Sequence, residues 1–141
     1  MRYPKSPFDS EGGLVHFPRM LDKIRLNARG ELGEAYLPRL GKGMDRFLCD
    51  FLGVAYADVV RRVEAGGSDA EVLRWCFETG RRPSENDLLL FNKFLLKLGW
   101  RDEDLGITAR LADYKREAGL SHRDDLQTVF DFIEVDEGRK P

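Results

Sequence analysis

The stretch that decides the fold is residues 85–98, which read ENDLLLFNKFLLKL. On a helix, the apolar side chains of this stretch cover nearly the whole circumference and leave Asn86, Lys93 and Lys97 as a narrow polar edge. A helix that is apolar almost all round is normally the central helix of its bundle. The stretch therefore predicts a central helix over residues 85–98 with the other helices packed around it.

The rest of the chain is also patterned as helices. Apolar residues recur at helical spacing from Phe17, from Met44 and from Tyr56, and no convincing alternating strand pattern occurs. Ser68 and Ser84 each precede an acidic residue by three positions, which is the signature of a capped helix start. The fold class predicted is all-α, an irregular bundle of six or seven short helices.

Two helices are predicted in the last third of the chain. Asp102 or Asp104 opens the first, which finishes at Gly119. Ser121 opens the second, an acidic helix over residues 121–137 with an apolar face. Such a helix must dock, either on its own bundle near the basic first helix or on another subunit as a homodimer contact. Both alternatives stay open here.

Composition excludes several classes of protein. The chain has 141 residues, a formal net charge of −2 and 42% apolar residues, which is too apolar and too weakly charged for a disordered chain. No apolar run is long enough for a membrane span, the N-terminus lacks the apolar stretch of a secretory signal, and the near-neutral charge argues against nucleic-acid binding. We expect a soluble, cytoplasmic protein that binds neither membrane nor nucleic acid.

The length favours a single helical domain over residues 1–141 with two segments outside the helices. Residues 1–13 are predicted to form an extended arm. Residues 30–43 are rich in glycine, with one turn of helix around Tyr36, and form either a loop that lines a site or a strap over the core.

Cys49 and Cys76 lie inside apolar helical patterns and are interpreted as reduced packing residues.

Several short motifs resemble a bacterial family known as domain of unknown function 5069. The motifs are Ser6-Pro7, Gly12-Gly13-Leu14-Val15, Pro18-Arg19, Asp22-Lys23-Ile24-Arg25, Phe51-Leu52-Gly53-Val54 and the stretch from Ser68 to Trp75. The match covers most of the first hundred residues. The resemblance implies a bacterial cytoplasmic helical domain, and it implies no catalytic activity.

Candidate ligand-binding residues cluster on the first helix and at the start of the second. His16, Arg19 and Lys23 share one stripe beside the core face, and Asp22 and Arg25 lie within a turn of Arg19. Arginine and lysine can hold an anion, and histidine alone in this stripe titrates near neutrality. The sequence Gly41-Lys42-Gly43-Met44-Asp45-Arg46 adds Lys42, Asp45 and Arg46 at a helix N-terminus, where anions are attracted.

The competing interpretation of these residues is ordinary surface electrostatics. Aspartates close to arginine or lysine on one helix commonly form weak, solvated ion pairs. The Gly41-Lys42-Gly43 segment also lacks the spacing of a phosphate-binding P-loop.

A further candidate is Asn92, which falls on the apolar side of the helix over residues 85–98. It is either a polar contact inside a pocket or an amide that ties down a loop carbonyl. The histidines and cysteines are isolated and show no metal-ligand spacing, so no metal and no cofactor is expected.

The sequence indicates a non-catalytic module that binds a protein or a small anionic ligand, since no nucleophile, metal or phosphate motif accompanies the core. The alternative is an enzyme or ligand sensor with an anion-binding cleft between the first helix and residues 30–43. In that alternative His16 acts as acid or base, and Arg19, Lys23, Lys42 and Arg46 orient the anion.

Overall fold

The computed structural model describes residues 2–141 and confirms that the chain is mostly helical. Two short 3-10 helices, at Glu34–Arg39 and Glu103–Leu105, lie between the longer ones. The α-helices of the described residues are α1 (Phe17–Ala28), α2 (Met44–Leu52), α3 (Tyr56–Glu64), α4 (Asp69–Thr79), α5 (Glu85–Lys97), α6 (Ile107–Glu117) and α7 (Val129–Asp136).

Helices α4 and α5 begin where the capping residues predict. Ser68 accepts from the amide of Glu71 while the Glu71 carboxylate accepts from the amide of Ser68, which completes the capping box of α4. Ser84 and Asp87 exchange the same two bonds at the start of α5. Each box supplies acceptors to backbone amides that the first helical turn leaves unpaired.

The N-terminal arm is not wholly extended, which corrects the expectation for residues 1–13. Its strand β1 (Ser10–Glu11) pairs antiparallel with β2 (Leu14–Val15), which directly follows the arm. Gly12 and Gly13 make the turn with φ of 57° and 80°, a region that side chains other than glycine disfavour. Strands of two residues are too short for an alternating pattern to be visible in the sequence.

Both predicted helix starts in the last third are wrong. Helix α6 begins at Ile107, because Asp102 instead accepts from the amide of Gly99 and pairs with Lys97. The predicted acidic helix over residues 121–137 begins only at Val129, where Thr128 caps it by accepting from the amide of Asp131.

Residues 121–128 form turns instead of the first half of that helix. The ammonium of Lys115 in α6 donates to the carbonyls of Arg123 and Leu126. The apolar residues near α7 are buried within this chain, among them Leu126, Val129, Phe130 and Phe132. The homodimer through this helix stays a prediction.

The chain divides into two compact units, one that ends at Leu89 and one from Leu90 to Pro141. In the first unit α1 packs against α3 and β1, and α3 packs against α2 and α4. In the second unit α6 packs against α7 and the second 3-10 helix. The organisation of residues 1–141 as one domain stays a prediction.

Helix α5 forms as predicted, but it is not a buried central helix. Leu95 is its buried residue, whereas the exposed fractions of Leu89 and Leu90 are 54% and 62%. The boundary between the two units falls inside this helix. An apolar circumference therefore does not determine how much of a helix its neighbours cover.

Among residues 2–141, no helix has both the length and the apolar character that crossing a membrane requires.

We predict that Leu95→Ala lowers the free energy of unfolding by about 2–5 kcal/mol, because it removes a fully buried side chain. Leu90→Ala is its matched control on the same helix and should change the free energy by no more than about 0.5 kcal/mol. Urea unfolding measures both. If both variants lost the same amount of unfolding free energy, α5 would be a buried central helix after all.

Candidate functional site

The carboxylate of Asp45, in the first turn of α2, is the centre of a buried polar cluster. Nε2 of His16 lies 2.8 Å from Oδ1, and Nζ of Lys23 lies 3.0 and 2.9 Å from the two oxygens. The amide of Gly41 donates to Oδ2 at 3.1 Å. One carboxylate therefore joins the start of α1, the middle of α1 and the loop before α2.

The local fold explains how these groups meet. His16 and Lys23 are seven positions apart, which is two helical turns, so both lie on the same side of α1. His16 precedes the helix with φ of 68°, a left-handed conformation that costs a residue other than glycine about 1 kcal/mol. At Gly41, a Cβ atom would lie 2.7 Å from the ring of Tyr56, so the loop can approach Asp45 only with glycine here.

Burial and charge together set the protonation of the cluster. Burial alone would raise the pKa of Asp45, but the charge of Lys23 and the hydrogen bond from His16 outweigh it and hold this pKa well below its usual range. Burial lowers the pKa of His16 and that of Lys23, although Asp45 opposes both shifts. The charges of Arg19 and Arg39 lower the pKa of Lys23 further.

These directions define the hydrogen-bonding state of His16. The ring is neutral near pH 7, and since Asp45 is an acceptor, Nε2 carries the hydrogen. Nδ1 then presents a lone pair. It is buried and has no hydrogen-bond partner among residues 2–141.

Arg19 and Asp22, two other predicted ligand residues, bind the chain's own N-terminal segment. Nη1 of Arg19 donates to the carbonyl of Lys5 at 3.0 Å, and the amide of Lys5 donates to Oδ2 of Asp22 at 3.0 Å. The guanidinium of Arg19 also lies over the ring of Tyr36, 5.8 Å from its centroid. Both charged side chains are buried, so the interpretation as solvated surface pairs is wrong for them.

The other predicted basic residues form no ion pair with Asp45 within the described part of the chain. Arg25 pairs with Asp69 of α4. Lys42 and Arg46 are exposed at the start of α2, and Arg46 lies 3.7 Å from Asp50 in a solvated pair. Asn92 is half-buried in the second unit.

Sequence reasoning missed Lys5, Tyr36, Arg39, Tyr56 and Asp69. All of these except Tyr56 contact a predicted residue or act on it through their charge, and they do so from elements distant in sequence. No local sequence pattern indicates such contacts. Tyr56 carries a weak signal, because the glycines at 41 and 43 indicate a close approach of the loop to some neighbour.

The thiols near the cluster are packing residues, as predicted. Both cysteines are free and buried, and burial raises the pKa of Cys49 to about 12 and that of Cys76 to about 11. Burial also raises the pKa of Tyr56, and the charge of Asp45 adds to this shift. Within residues 2–141 no three His, Cys, Asp or Glu side chains form a metal-binding group.

A comparison with protein families finds that the model of a domain of unknown function, DUF5069, matches residues 1–139. No curated protein matches the chain.

We predict that Asp45→Asn lowers the free energy of unfolding by about 3–5 kcal/mol, because it leaves the Lys23 ammonium buried without a countercharge. Asp50→Asn on the same helix removes only an exposed pair and should cost at most about 1 kcal/mol. Adding Lys23→Met to Asp45→Asn should recover part of the loss. A double variant as unstable as Asp45→Asn alone would contradict a charge-based cause.

We also predict that acid weakens the fold through His16. Its folded pKa lies below the usual 6.5, so the unfolded chain binds the proton first and the free energy of unfolding falls as pH drops below 6.5, by up to about 1.4 kcal/mol per pH unit. His16→Asn, which suits a left-handed φ, should reduce this slope between pH 6.5 and 5. His122→Asn, at an exposed histidine, is the control. Equal slopes in the parent and His16→Asn would contradict the prediction.

Proposed function

The chain belongs to the DUF5069 family, and from its own residues we propose that it is a module that binds a small anion, a phosphate or a carboxylate, without catalysing a reaction. The observation that carries the proposal is an excess of positive charge around one carboxylate. Lys23 already has Asp45 as its countercharge. Arg19 and Arg39 lie close enough to Lys23 for their charges to lower the pKa of Lys23.

Two cations beside the start of α2 have no countercharge of their own. Neither Arg39 nor Lys42 forms an ion pair within the described part of the chain. Arg39 ends the first 3-10 helix, and its Nη2 lies against Gly43: a Cβ on that glycine would be 2.9 Å away. We name Arg39, Lys42, Gly43 and Arg46 the basic edge.

The basic edge combines three features that favour an anion. Arginine offers paired N–H donors that match the oxygens of a phosphate or carboxylate, and Lys42 adds a point charge. Gly43 directly precedes α2, so the positive end of the helix dipole lies at the same place. The part-buried hydrogen bond from the Gly41 amide to Asp45 holds the loop that carries these groups.

The titratable groups around Asp45 support binding in preference to catalysis. The raised pKa values of Cys49 and Tyr56 keep both groups protonated near neutral pH, when neither is an activated nucleophile. Lys23 is held by both oxygens of Asp45. A bound anion would balance the charge of the basic edge without a bond being made.

A second candidate function is acid–base catalysis by His16. One observation favours this function. Nε2 of His16 is hydrogen-bonded to Asp45, whereas Nδ1 has a lone pair and no hydrogen-bond partner among residues 2–141. An enzyme would convert a bound ligand, whereas a binding module would return it unchanged. The NMR spectrum of a ligand recovered after incubation with the protein distinguishes the two.

We predict that inorganic phosphate at low ionic strength raises the melting temperature and binds measurably by calorimetry, relative to sodium chloride at matched ionic strength. Arg39→Ala and Lys42→Ala should each weaken phosphate binding at least about tenfold, since each removes a charge-assisted contact. Arg110→Ala and Lys93→Ala, at exposed cations of α6 and α5, are the matched controls.

Two results would contradict the proposal. One is a phosphate effect no larger than that of sodium chloride. The other is phosphate binding that Arg39→Ala and Lys42→Ala weaken no more than the control substitutions do.

A further inference from the structure

A small surface cavity of about 180 Å³ lies against one face of α4. Four residues of the helix line it, at positions i, i+3, i+4 and i+7, which a helix places on the same side. They are Ala70, Leu73, Arg74 and Phe77. Cavities for drug-sized ligands measure about 300–1,000 Å³, so this one fits a smaller molecule.

The hairpin and the segment after α4 supply the other walls of this cavity. Strand β1 packs against α4, and its Glu11 lines the cavity. The adjoining turn approaches α4 closely, because a Cβ on Gly12 would lie only 2.6 Å from Cδ2 of Leu73. Arg82, which follows α4, is also part of the lining, and its guanidinium lies over the ring of Phe77, 4.9 Å from the centroid. Three elements of the first unit therefore build the cavity.

The charged side chains of the lining are not paired with one another. Glu11, Arg74 and Arg82 form no ion pair and no side-chain hydrogen bond among residues 2–141. A hydrogen bond with the amide of Ser68 lowers the pKa of Glu71, and the charge of Arg74 adds to this shift without an ion pair. Two positive charges and one negative charge thus remain available to a ligand.

A ligand that satisfies the whole lining needs three chemical groups. A carboxylate matches the paired N–H donors of arginine, and an arginine over an aromatic ring keeps these donors for another partner. An ammonium matches Glu11, which would repel a ligand that carries a carboxylate alone. A compact apolar group matches Leu73 and Phe77. An α-amino acid with an aliphatic side chain carries all three groups on one carbon atom.

We propose that the cavity lined by Glu11, Arg74 and Arg82 is a binding site for a free α-amino acid with an aliphatic side chain. The two arginines hold the α-carboxylate and Glu11 holds the α-ammonium, while the aliphatic group lies on Leu73 and Phe77. This site shares no residue with the basic edge, so the failure of phosphate to bind there would leave it standing.

The experiment adds L-leucine to the full chain and follows the backbone amide signals by heteronuclear NMR near neutral pH. The signals of α4 and of the β1–β2 turn should shift with a saturable dependence on leucine. Two ligands are matched controls: isocaproate, which is leucine without the ammonium, and isopentylamine, which is leucine without the carboxylate. Each should bind at least about tenfold more weakly than leucine, because each lacks one charge-assisted contact.

Variants of the lining identify the groups that hold the ligand. Arg74→Gln and Arg82→Gln should each weaken leucine binding at least about tenfold, whereas Arg110→Gln, at an exposed arginine of α6, should not. Glu11→Gln should weaken leucine binding but not the binding of isocaproate, since it removes a like charge from the latter. Ala70→Phe, at an exposed position, should block the cavity and leave the fold intact.

Three results would overturn the proposal. The first is the absence of saturable leucine binding. The second is isocaproate binding as tight as that of leucine, which would show that Glu11 holds no ammonium. The third is leucine binding that Arg74→Gln and Ala70→Phe leave unchanged, which would place the ligand elsewhere on the protein.

Discussion

The structure of the first unit depends on one carboxylate that serves three donors. Asp45 accepts from His16 and Lys23 of α1 and from Gly41 in the loop before α2, so it joins two segments that are distant in the chain. A charged carboxylate with 1% exposure is tolerable only when it is paired and its oxygens are hydrogen-bonded, and both conditions are met here. Polar contacts through Asp45 therefore link α2 to α1.

This arrangement separates two kinds of positive charge. Lys23 is neutralised inside the protein by Asp45, whereas Arg39 and Lys42 form no ion pair within the described part of the chain. Arg19 and Asp22 bind the backbone of Lys5. A single stretch of α1 thus contributes to the polar cluster around Asp45 and to the contacts that hold the N-terminal segment.

The sequence predicted many of the residues of the candidate site but not how these residues are arranged in space. The helical spacing of His16 and Lys23 placed them on one side of α1, and the glycines around Lys42 marked the loop that meets them. The spacing could not show that Asp45 is buried between these segments or that Arg25 would turn to Asp69 of α4. Side chains on one helix choose partners from other elements, and those elements are positioned by packing that the local pattern does not contain.

By itself the sequence determined where most of the helices begin and end, because caps such as Ser68 and helix-ending glycines such as Gly53 act within a few residues. Tertiary structure decided the rest. It placed Lys115 where it takes the carbonyls that a helix from Ser121 would have used, and it left Leu89 and Leu90 uncovered on a helix whose composition indicates burial. Burial and ion pairing depend on which surfaces meet, and periodicity along one helix carries no information about its neighbours.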